Sequence, residues 1–375
     1  MDTEKLNSTC CPPDAPPADK GVKSTCCAGP GRAPINLSAS SGIETVTSEL
    51  TLSDRFNAVR CRLGGFRMHY IVRPGIYAVG APGPDSDVFV SANYRLSFNV
   101  LRRSLRNMNA WILVIDTKGI NVWCAAGKGA FGTDELVGRI FETRLSNIVN
   151  HRRIILPQLG GPGVAGHLVQ KQTGFKVLWG PVNAADIRAY VEAGYKASKA
   201  MRSVRFNLFD RLILTPMELV PALKIFPLYA LAVLLVFALA PTGISATGAE
   251  AYGLPFLVMA GAAVFSGAFL TPVLLPYIPN RSFAIKGWLT GLLTTVVAAR
   301  SIGIYSMPDA LIIMTFVFFP LLSSYIALQF TGATTFTGPS GVKKELRYAM
   351  PLYITAAGAS IVLIIAFKLS QWGVL

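Results

Sequence analysis

One stretch of the sequence, from Trp111 to Lys128, most constrains what this chain can fold into. It opens with the apolar run Trp111-Ile112-Leu113-Val114-Ile115, which is continuous, rich in β-branched residues and too short for a helix. We therefore interpret it as a buried central strand. Gly119 then permits a sharp turn, and Asn121 is a good N-cap for a short helix that begins at Val122. A buried strand that turns directly into a helix predicts an α/β domain.

The predicted helix carries the octapeptide Asn121-Val122-Trp123-Cys124-Ala125-Ala126-Gly127-Lys128. Cys124 lies in its first turn, where free N–H groups and the helix dipole favour a thiolate. Because a cysteine side chain is short, any group that its sulfur binds must come close to the helix backbone. We expect Ala125, Ala126 and Gly127 to leave one face bare enough for a large flat ligand. The pattern favours a broad, soft ligand that binds thiolates.

Two other interpretations of the octapeptide compete with this one. A lone cysteine is most often a small buried hydrophobic residue. A phosphate-binding loop is the second alternative, because Gly129 follows Gly127-Lys128. That alternative fails, since Val122 stands where the motif needs a glycine and Gly129 where it needs the hydroxyl that holds Mg²⁺. The residues alone leave the buried-cysteine interpretation open.

The octapeptide resembles, without substitution, the cap-helix signature of the HgcA family, the corrinoid proteins of the bacterial mercury-methylating pair. That family is related to the corrinoid domain of the corrinoid iron-sulfur protein of acetyl-CoA synthesis. The resemblance extends roughly from Arg60 to Ala200 and, more loosely, into the hydrophobic part behind it. Four further segments stand in the expected order: Ser91-Ala92-Asn93-Tyr94, Gly129-Ala130-Phe131-Gly132-Thr133, Leu156-Pro157-Gln158-Leu159-Gly160 and Gly180-Pro181-Val182.

The resemblance implies a corrinoid cofactor of the cobalamin type, with Cys124 as the catalytic residue and axial ligand of its cobalt. The histidines His69, His151 and His167 lack the Asp-x-His-x-x-Gly context of the other large cobalamin class. The positions that the resemblance assigns to cofactor binding are the octapeptide Asn121, Val122, Trp123, Cys124, Ala125, Ala126, Gly127 and Lys128, together with Ser91, Asn93, Thr117, Phe131, Gly132, Thr133, Leu156, Gln158, Gly160 and Pro181.

The resemblance also implies an activity: corrinoid-dependent transfer of a methyl group from methyl-Co(III) to Hg(II), which forms methylmercury. It implies a partner of the HgcB type, a ferredoxin-like protein with two 4Fe–4S clusters that returns cobalt to Co(I). The methyl donor system implied is a folate-linked methyltransferase. The chain shows no four-cysteine cluster pattern of its own, which agrees with an external reductant.

Hydrophobic patterning divides the chain into three parts. Residues 1–55 are rich in Pro, Ser, Thr and Gly without periodicity, and we interpret them as a disordered tail. Residues 56–205 alternate short strands with helices, which predicts a Rossmann-like, doubly wound α/β domain. The predicted elements include a strand at Met68–Val72 and a long helix from Asp134 to about Asn150. Residues 206–375 form a predicted all-α transmembrane domain.

The tail contains two pairs of adjacent cysteines, Cys10-Cys11 and Cys26-Cys27. One interpretation is capture of Hg(II) by their thiolates, since soft ligands select soft metals. The alternative is a dispensable tail, and the sequence favours neither. The N-terminus has no apolar signal-peptide core, so the domain that follows is expected to stay in the cytoplasm.

Five stretches of the C-terminal part are long enough to cross a bilayer: Leu219–Ala240, Tyr252–Tyr277, Phe283–Ile304, Pro308–Gln329 and Pro351–Leu369. Lys and Arg residues lie before the first, third and fifth of them, and the alternate connections have none. The positive-inside rule therefore predicts a multi-pass protein of the inner membrane with a cytoplasmic α/β domain and a periplasmic C-terminus. Arg300 is the exception, and we expect it to snorkel.

Composition admits other functional classes. The net charge of +15 is compatible with nucleic acid, but an anionic membrane surface explains it as well, and no basic run with interleaved aromatics stands out. A transporter with a regulatory domain would need acids within the spans, and Glu250 and Asp309 lie only at the edges. A methyl carrier for acetyl-CoA synthesis is the nearer alternative, although that relative is soluble and half of this chain is hydrophobic.

Overall fold

The structure is a computed structural model, and it describes residues 42–334, 337 and 339–374. Ile43–Leu375 forms one compact unit. The paired cysteines of the predicted tail lie outside the described residues. The last part of the segment predicted to be disordered, residues 1–55, is ordered, because Glu44–Val46 pairs with the sheet as strand β1. Helix α1, Leu52–Leu63, then begins at a capping box of Thr51 and Asp54.

A six-stranded sheet in the order β1-β2-β4-β3-β5-β6 forms the α/β part. Its other strands are β2 Gly75–Val79, β3 Val88–Ala92, β4 Ala110–Ile115, β5 Arg153–Leu156 and β6 Lys176–Trp179. Strands β4, β3, β5 and β6 run parallel, whereas β2 is antiparallel to β4. The predicted α/β class is confirmed, with an antiparallel edge added to a parallel sheet. The carboxyl ends of the four parallel strands share one edge.

Helices cover both faces of the sheet. Helices α2 Arg95–Ser104 and α7 Ile187–Glu192 pack on one face, and α3 Val122–Gly127, α4 Thr133–Glu142, α5 Leu145–Ile148 and α6 Gly166–Thr173 on the other. Residues of β4 alternate between them: Leu113 and Ile115 join the α4 core, and Ile112 and Val114 the α2 core. Each such side chain contributes about 1.5–3 kcal/mol on burial. The predicted central strand is therefore buried on both sides.

Two predicted elements of this domain differ in the structure. The strand at Met68–Val72 is wrong: Ile71 makes only an isolated bridge, and β2 begins at Gly75. Pro74 has no N–H to donate to a ladder, so regular pairing starts after it. The long helix after Asp134 is interrupted at Arg144, whose φ of 48° is left-handed. The chain there passes from α4 to α5.

The C-terminal part is helical, apart from a short hairpin of β7 Leu239–Ala240 and β8 Gly243–Ile244. Its helices are α8 Leu208–Leu214, α9 Pro216–Ala238, α10 Ala246–Gly248, α11 Leu254–Phe265, α12 Thr271–Leu274, α13 Phe283–Ser301, α14 Asp309–Gln329 and α15 Pro339–Gln371. Two π-helical turns, Ala249–Gly253 and Ser266–Leu270, join α10, α11 and α12. The second turn ends two residues before Pro272, which has no N–H for the helical hydrogen-bond ladder.

Four stretches in the described residues are long and apolar enough to cross a membrane: Leu208–Ala238, Ala246–Leu274, Asp309–Gly332 and Ser340–Gln371. The third predicted span, Phe283–Ile304, corresponds to helix α13, but it is not among the four. Lys286 and Arg300 lower its apolar content. By length and apolar composition, four of the five predicted spans are thus able to cross a membrane.

Helix α13 nevertheless packs closely against α14. Gly287 and Gly291 face Ser323 and Ala327, and a Cβ added at Gly291 would come within 2.6 Å of the Cβ of Ser323. Ser323 Oγ donates a hydrogen bond to the Gly287 carbonyl at 2.9 Å. Small residues that let two backbones approach are typical of helix pairs in membranes. This packing agrees with α13 as a member of the same bundle.

Candidate functional site

The candidate site begins where β4 ends, in the loop from Asp116 to Ile120. Lys118 and Gly119 both have positive φ, 55° and 72°. Gly119 is also confined, because an added Cβ would lie 2.9 Å from Cγ2 of Ile71. Only a glycine satisfies both the conformation and the space at this position. The sharp turn predicted at Gly119 is therefore confirmed.

Asn93, at the carboxyl end of β3, holds this loop in place. Its Oδ1 accepts hydrogen bonds from the backbone N–H groups of Thr117 at 3.1 Å and Gly119 at 2.9 Å. The Thr117 hydroxyl lies 2.8 Å from the same oxygen and 2.7 Å from the Ile120 carbonyl. Asn93 Nδ2 donates to Asp116 Oδ1 at 2.9 Å. Since Asn93 and Thr117 are both buried, these bonds fix the start of α3 relative to the sheet.

Cys124 is the third residue of α3. Asn121 Oδ1 accepts a hydrogen bond from the Cys124 backbone N–H at 3.0 Å, so the predicted N-cap is confirmed. The Cys124 thiol forms no disulfide and is partly exposed. Cys124 is therefore more exposed than the alternative interpretation expects, in which a lone cysteine is a small buried hydrophobic residue. The helix is fixed at its start, and Cys124 stays partly accessible to solvent.

The bare face of α3 differs from the one predicted. Ala125 and Ala126 are buried in the core of the sheet's α4 face, so the expectation that both border a ligand is wrong. Gly127 is exposed, and an added Cβ there would meet nothing within 4 Å. The open surface is formed by Cys124, Gly127 and Lys128, which lie three and four residues apart. The alanines are small because the helix lies close to the protein behind it.

That close approach involves the glycine-containing loop after β5. A Cβ added at Gly163 would come within 3.0 Å of the Ala126 Cα, and one at Gly160 within 2.6 Å of the Phe131 ring. Phe131 is fully buried. Gly132 is also tightly placed, with the Gly129 carbonyl oxygen 2.8 Å from an added Cβ. These glycines let the loop support α3 from the inner side. Gly163 was missed by the sequence reasoning, although its spacing from Gly160 was a visible signal.

Most of the other residues predicted to bind the cofactor instead support the protein around the site. Ser91 and Leu156 are buried, and the Ser91 hydroxyl bonds to the Ala92 carbonyl at 3.1 Å. Thr133 Oγ1 accepts from the Ala165 N–H at 2.9 Å and ties α4 to the loop before α6. Pro181 is buried after β6. Gln158 differs, because its Oε1 is buried without a hydrogen-bond partner among the described residues.

Gln158 lies at a special point of the sheet. The chain leaves β3 toward β4 on one side and later returns to β5 on the other, so the connections diverge between β3 and β5. Ligands of open α/β sheets bind beside the carboxyl ends of strands at such a point. Asn93 follows β3 and Gln158 follows β5 there. An unpaired buried acceptor at this place is available to a ligand that carries N–H donors.

The other described cysteine and the three histidines lie outside the helix that carries Cys124. Burial raises the pKa of the Cys61 thiol, and Cys61 lies on α1. His151 Nε2 is 2.9 Å from the Ser86 carbonyl, just before β3, at the edge opposite Cys124. His167 is exposed on α6. His69 is exposed and follows Met68, whose carbonyl lies 3.5 Å from an added Cβ at Gly119. Of the three histidines, His69 is the one beside the loop of the site.

Part of this chain is similar to known proteins that are named as subunits of one complex. Residues 67–191 match the family model CdhD, described as CO dehydrogenase/acetyl-CoA synthase delta subunit. The match ends at Val191, before α8 and the helical part.

Curated relatives named acetyl-CoA decarbonylase/synthase complex subunit gamma are similar as well. The protein from Archaeoglobus fulgidus is 32% identical over 129 residues, which are 33% of this chain and 26% of that relative. The one from Methanopyrus kandleri is 29% identical over 123 residues, 32% and 26% of the two chains. The one from Methanocaldococcus jannaschii is 34% identical over 90 residues, 24% and 18%. The aligned part of this chain thus spans about a quarter of these relatives. These matches support a relationship to acetyl-CoA decarbonylase/synthase proteins. They do not support the HgcA family specifically.

Proposed function

We propose that this chain is a membrane-anchored, corrinoid-dependent methyl carrier in which the Cys124 sulfur binds the cobalt. The observation that carries the proposal is the position of Cys124: an unpaired, partly exposed thiol on a capped helix at the carboxyl edge of the parallel strands. A thiolate is a soft ligand that suits a transition-metal centre. The similarity to acetyl-CoA decarbonylase/synthase subunits supports the same class of protein.

The residues around Cys124 fit a large planar cofactor. Gly127 and Gly129 have no atom within 4 Å of an added Cβ, so the space over this side of α3 is open. The buried and unpaired Gln158 Oε1 offers an acceptor to the amide groups at a corrinoid's periphery. We assign direct contact to Cys124, Gly127, Lys128 and Gln158. We assign a supporting role to Asn93, Thr117 and Phe131, whose side chains are buried in the protein.

When bound, a corrinoid supplies a cobalt centre that accepts and donates a methyl group. The chain's own contribution is positioning. Asn121 fixes the Cys124 backbone, and Asn93 fixes the loop before it. The buried Ala125 and Ala126 keep α3 from shifting inward. A thiolate held in this way provides strong electron donation at a set distance from the helix, which favours methyl transfer to an electrophile.

We further propose Hg(II) as the methyl acceptor, because the octapeptide with Cys124 resembles the HgcA signature at every position. In this proposal a ferredoxin-like protein with two 4Fe–4S clusters is the reductant, and a folate-linked methyltransferase is the donor system. Capture of Hg(II) by Cys10, Cys11, Cys26 and Cys27 is part of the same proposal.

A methyl carrier for acetyl-CoA synthesis is the second candidate. The matches over the α/β domain favour it, since the matched relatives carry the name of that complex. The two candidates share the cofactor, the ligand Cys124 and the α/β domain. The difference that an experiment can test directly is the methyl acceptor.

An acceptor competition distinguishes the candidates. The full chain is purified, reconstituted with a methylated corrinoid under reducing conditions, and offered Hg(II) or an acetyl-CoA synthase with CO and coenzyme A. Methylmercury as the main product supports the first candidate. Acetyl-CoA formation without methylmercury supports the second. Failure to bind any corrinoid, judged from the visible absorption spectrum, would overturn both.

A further inference from the structure

A cavity of about 670 Å³ opens in the helical part, beside the N-terminal end of α13. We call it the α13–α15 pocket. Helix α13, helix α14 and the first turns of α15 form its walls. Residues that line it include Ala284, Ile285, Trp288, Ala349, Leu352 and Tyr353. Its size is within the range of about 300–1,000 Å³ that is usual for ligand pockets.

Three polar side chains in the wall of the α13–α15 pocket, Ser324, Tyr353 and Glu345, are already paired. Ser324 Oγ lies 2.6 Å from the Ala284 carbonyl and 2.8 Å from the Tyr353 hydroxyl. Glu345 Oε2 accepts hydrogen bonds from Ser282 Oγ at 2.8 Å and from the Ala284 N–H at 3.0 Å. Glu345 therefore completes the N-terminal cap of α13. The body of the pocket is left with aliphatic and aromatic surface, which suits a hydrocarbon chain.

The rim of the pocket is cationic. Arg281 and Lys344 line it and are exposed, and their side chains form no ion pair or hydrogen bond with any described residue. Lys343 and Arg347 add two positive charges on the same end of α15. Trp288 and Tyr348 are exposed beside them, at 39% and 70%. Aromatic and basic residues together mark the interface level of a bilayer.

We propose that the α13–α15 pocket binds one anionic phospholipid, with an acyl chain in the apolar body and the phosphate between Arg281 and Lys344. An apolar body below two unpaired cations complements an amphiphile with a negative head. A free anion would leave the apolar wall exposed. This inference rests on the proposed membrane location, and it gives α13 a second role as the wall of a lipid site.

Native mass spectrometry of the full chain in detergent tests the proposal. Phosphatidylglycerol and phosphatidylcholine with identical acyl chains are titrated separately, and inorganic phosphate serves as a competitor. The double variant Arg281→Gln/Lys344→Gln removes the rim charges. Arg300→Gln, an exposed cation at the other end of α13, is the matched control. Carbonate extraction of membranes measures the membrane location separately.

The wild-type protein is expected to retain phosphatidylglycerol in preference to phosphatidylcholine. Loss of two interfacial charges at about 1 kcal/mol each predicts roughly thirty-fold weaker retention in the double variant, with Arg300→Gln unchanged. Equal retention of the two lipids, or an unchanged double variant, overturns the lipid site. If millimolar inorganic phosphate displaces phosphatidylglycerol, the acyl chain does not contribute to binding, and the proposed apolar part of the site is wrong. Release by carbonate shows instead that the membrane location itself fails.

Discussion

Asn93 and Thr117 are joined across two neighbouring strands, with Asn93 Oδ1 accepting from the Thr117 backbone N–H at 3.1 Å and lying 2.8 Å from the Thr117 hydroxyl. This contact makes the end of β3 part of the support for α3. The position of Cys124 thus depends on a residue 31 positions earlier in the sequence.

The first prediction concerns Asn93. Asn93→Ala leaves the buried N–H groups of Thr117 and Gly119 without an acceptor, so we expect a loss of about 1–3 kcal/mol in the free energy of unfolding. Corrinoid retention should fall as well, because the loop before α3 is released. Thermal unfolding by circular dichroism and the corrinoid absorption spectrum measure the two effects. Asn150→Ala removes an exposed hydrogen bond before β5 and should change neither. Wild-type stability in Asn93→Ala would contradict the supporting role of Asn93.

The second prediction concerns the open face of α3. Gly127→Ala should fold as well as the wild type or better, since an added Cβ meets nothing and alanine favours a helix. Gly127→Phe should also fold, but its ring would occupy the space assigned to the cofactor. Bound corrinoid after reconstitution should therefore drop at least ten-fold in Gly127→Phe and little in Gly127→Ala. Full binding by the phenylalanine variant would place the cofactor elsewhere.

The sequence predicted much of this site because its signals are local. The apolar run of β4, the turn at Gly119 and the cap at Asn121 each depend on residues within a few positions, and all three are present. The orientation of Ala125 and Ala126 was mispredicted. Which face of a six-residue helix is buried depends on Gly163, a distant residue that packs against Ala126. A helix of six residues is too short for its hydrophobic periodicity to show which face packs against a distant part of the chain.

The mispredictions of the fold have the same origin. The segment before residue 55 has the composition of a disordered tail, yet Glu44–Val46 is ordered by pairing with β2. The capping box at Thr51 and Asp54 was a local signal that the composition concealed. Asp54 is further fixed by a buried ion pair with Arg102 at 2.7 Å, and that partner lies far along the chain.

The third prediction is a pH dependence of stability. Burial raises the pKa of the Cys61 thiol above its ordinary value of 9.0, and burial raises the pKa of Tyr94 to about 12. Above the ordinary values the unfolded chain releases protons that the folded chain retains, so stability is full at neutral pH and falls as pH rises. The decline between about pH 9 and 10 should be shallower in Cys61→Ala, because the unfolded-state pKa of the thiol, 9.0, lies below that of tyrosine, 10.0, so tyrosine ionisation contributes mainly at higher pH. Unfolding midpoints measured across this range test it, and parallel curves would exclude Cys61 as the cause.

The fourth prediction separates four membrane spans from five. If α13 crosses the bilayer with the other helices, a reporter in the loop at Arg281 should be cytoplasmic and one fused after Leu375 periplasmic. Alkaline phosphatase and fluorescent-protein fusions at both positions give the readout. A cytoplasmic reporter at both would mean that α13 packs on α14 without crossing.

The fifth prediction concerns the ligand itself. Cys124→Ala removes the sulfur from a partly exposed position, so the variant should fold. Cys124→His replaces a strong anionic donor with a neutral one and a bulkier ring. His69, exposed beside the loop of the site, is the residue that needs a control. Cys124→Ala is therefore compared with the double variant Cys124→Ala/His69→Ala.

The most direct measurement is the spectrum and methyl-transfer rate of corrinoid-loaded Cys124→Ala beside the wild type. We predict an altered visible spectrum, since the thiolate no longer binds cobalt, and a loss of at least a hundred-fold in methyl transfer to Hg(II), corresponding to about 2.7 kcal/mol of barrier. Added reductant should not restore the rate, and the double variant should behave in the same way. An unchanged spectrum together with a wild-type transfer rate would contradict the account and leave Cys124 without a role in cobalt binding.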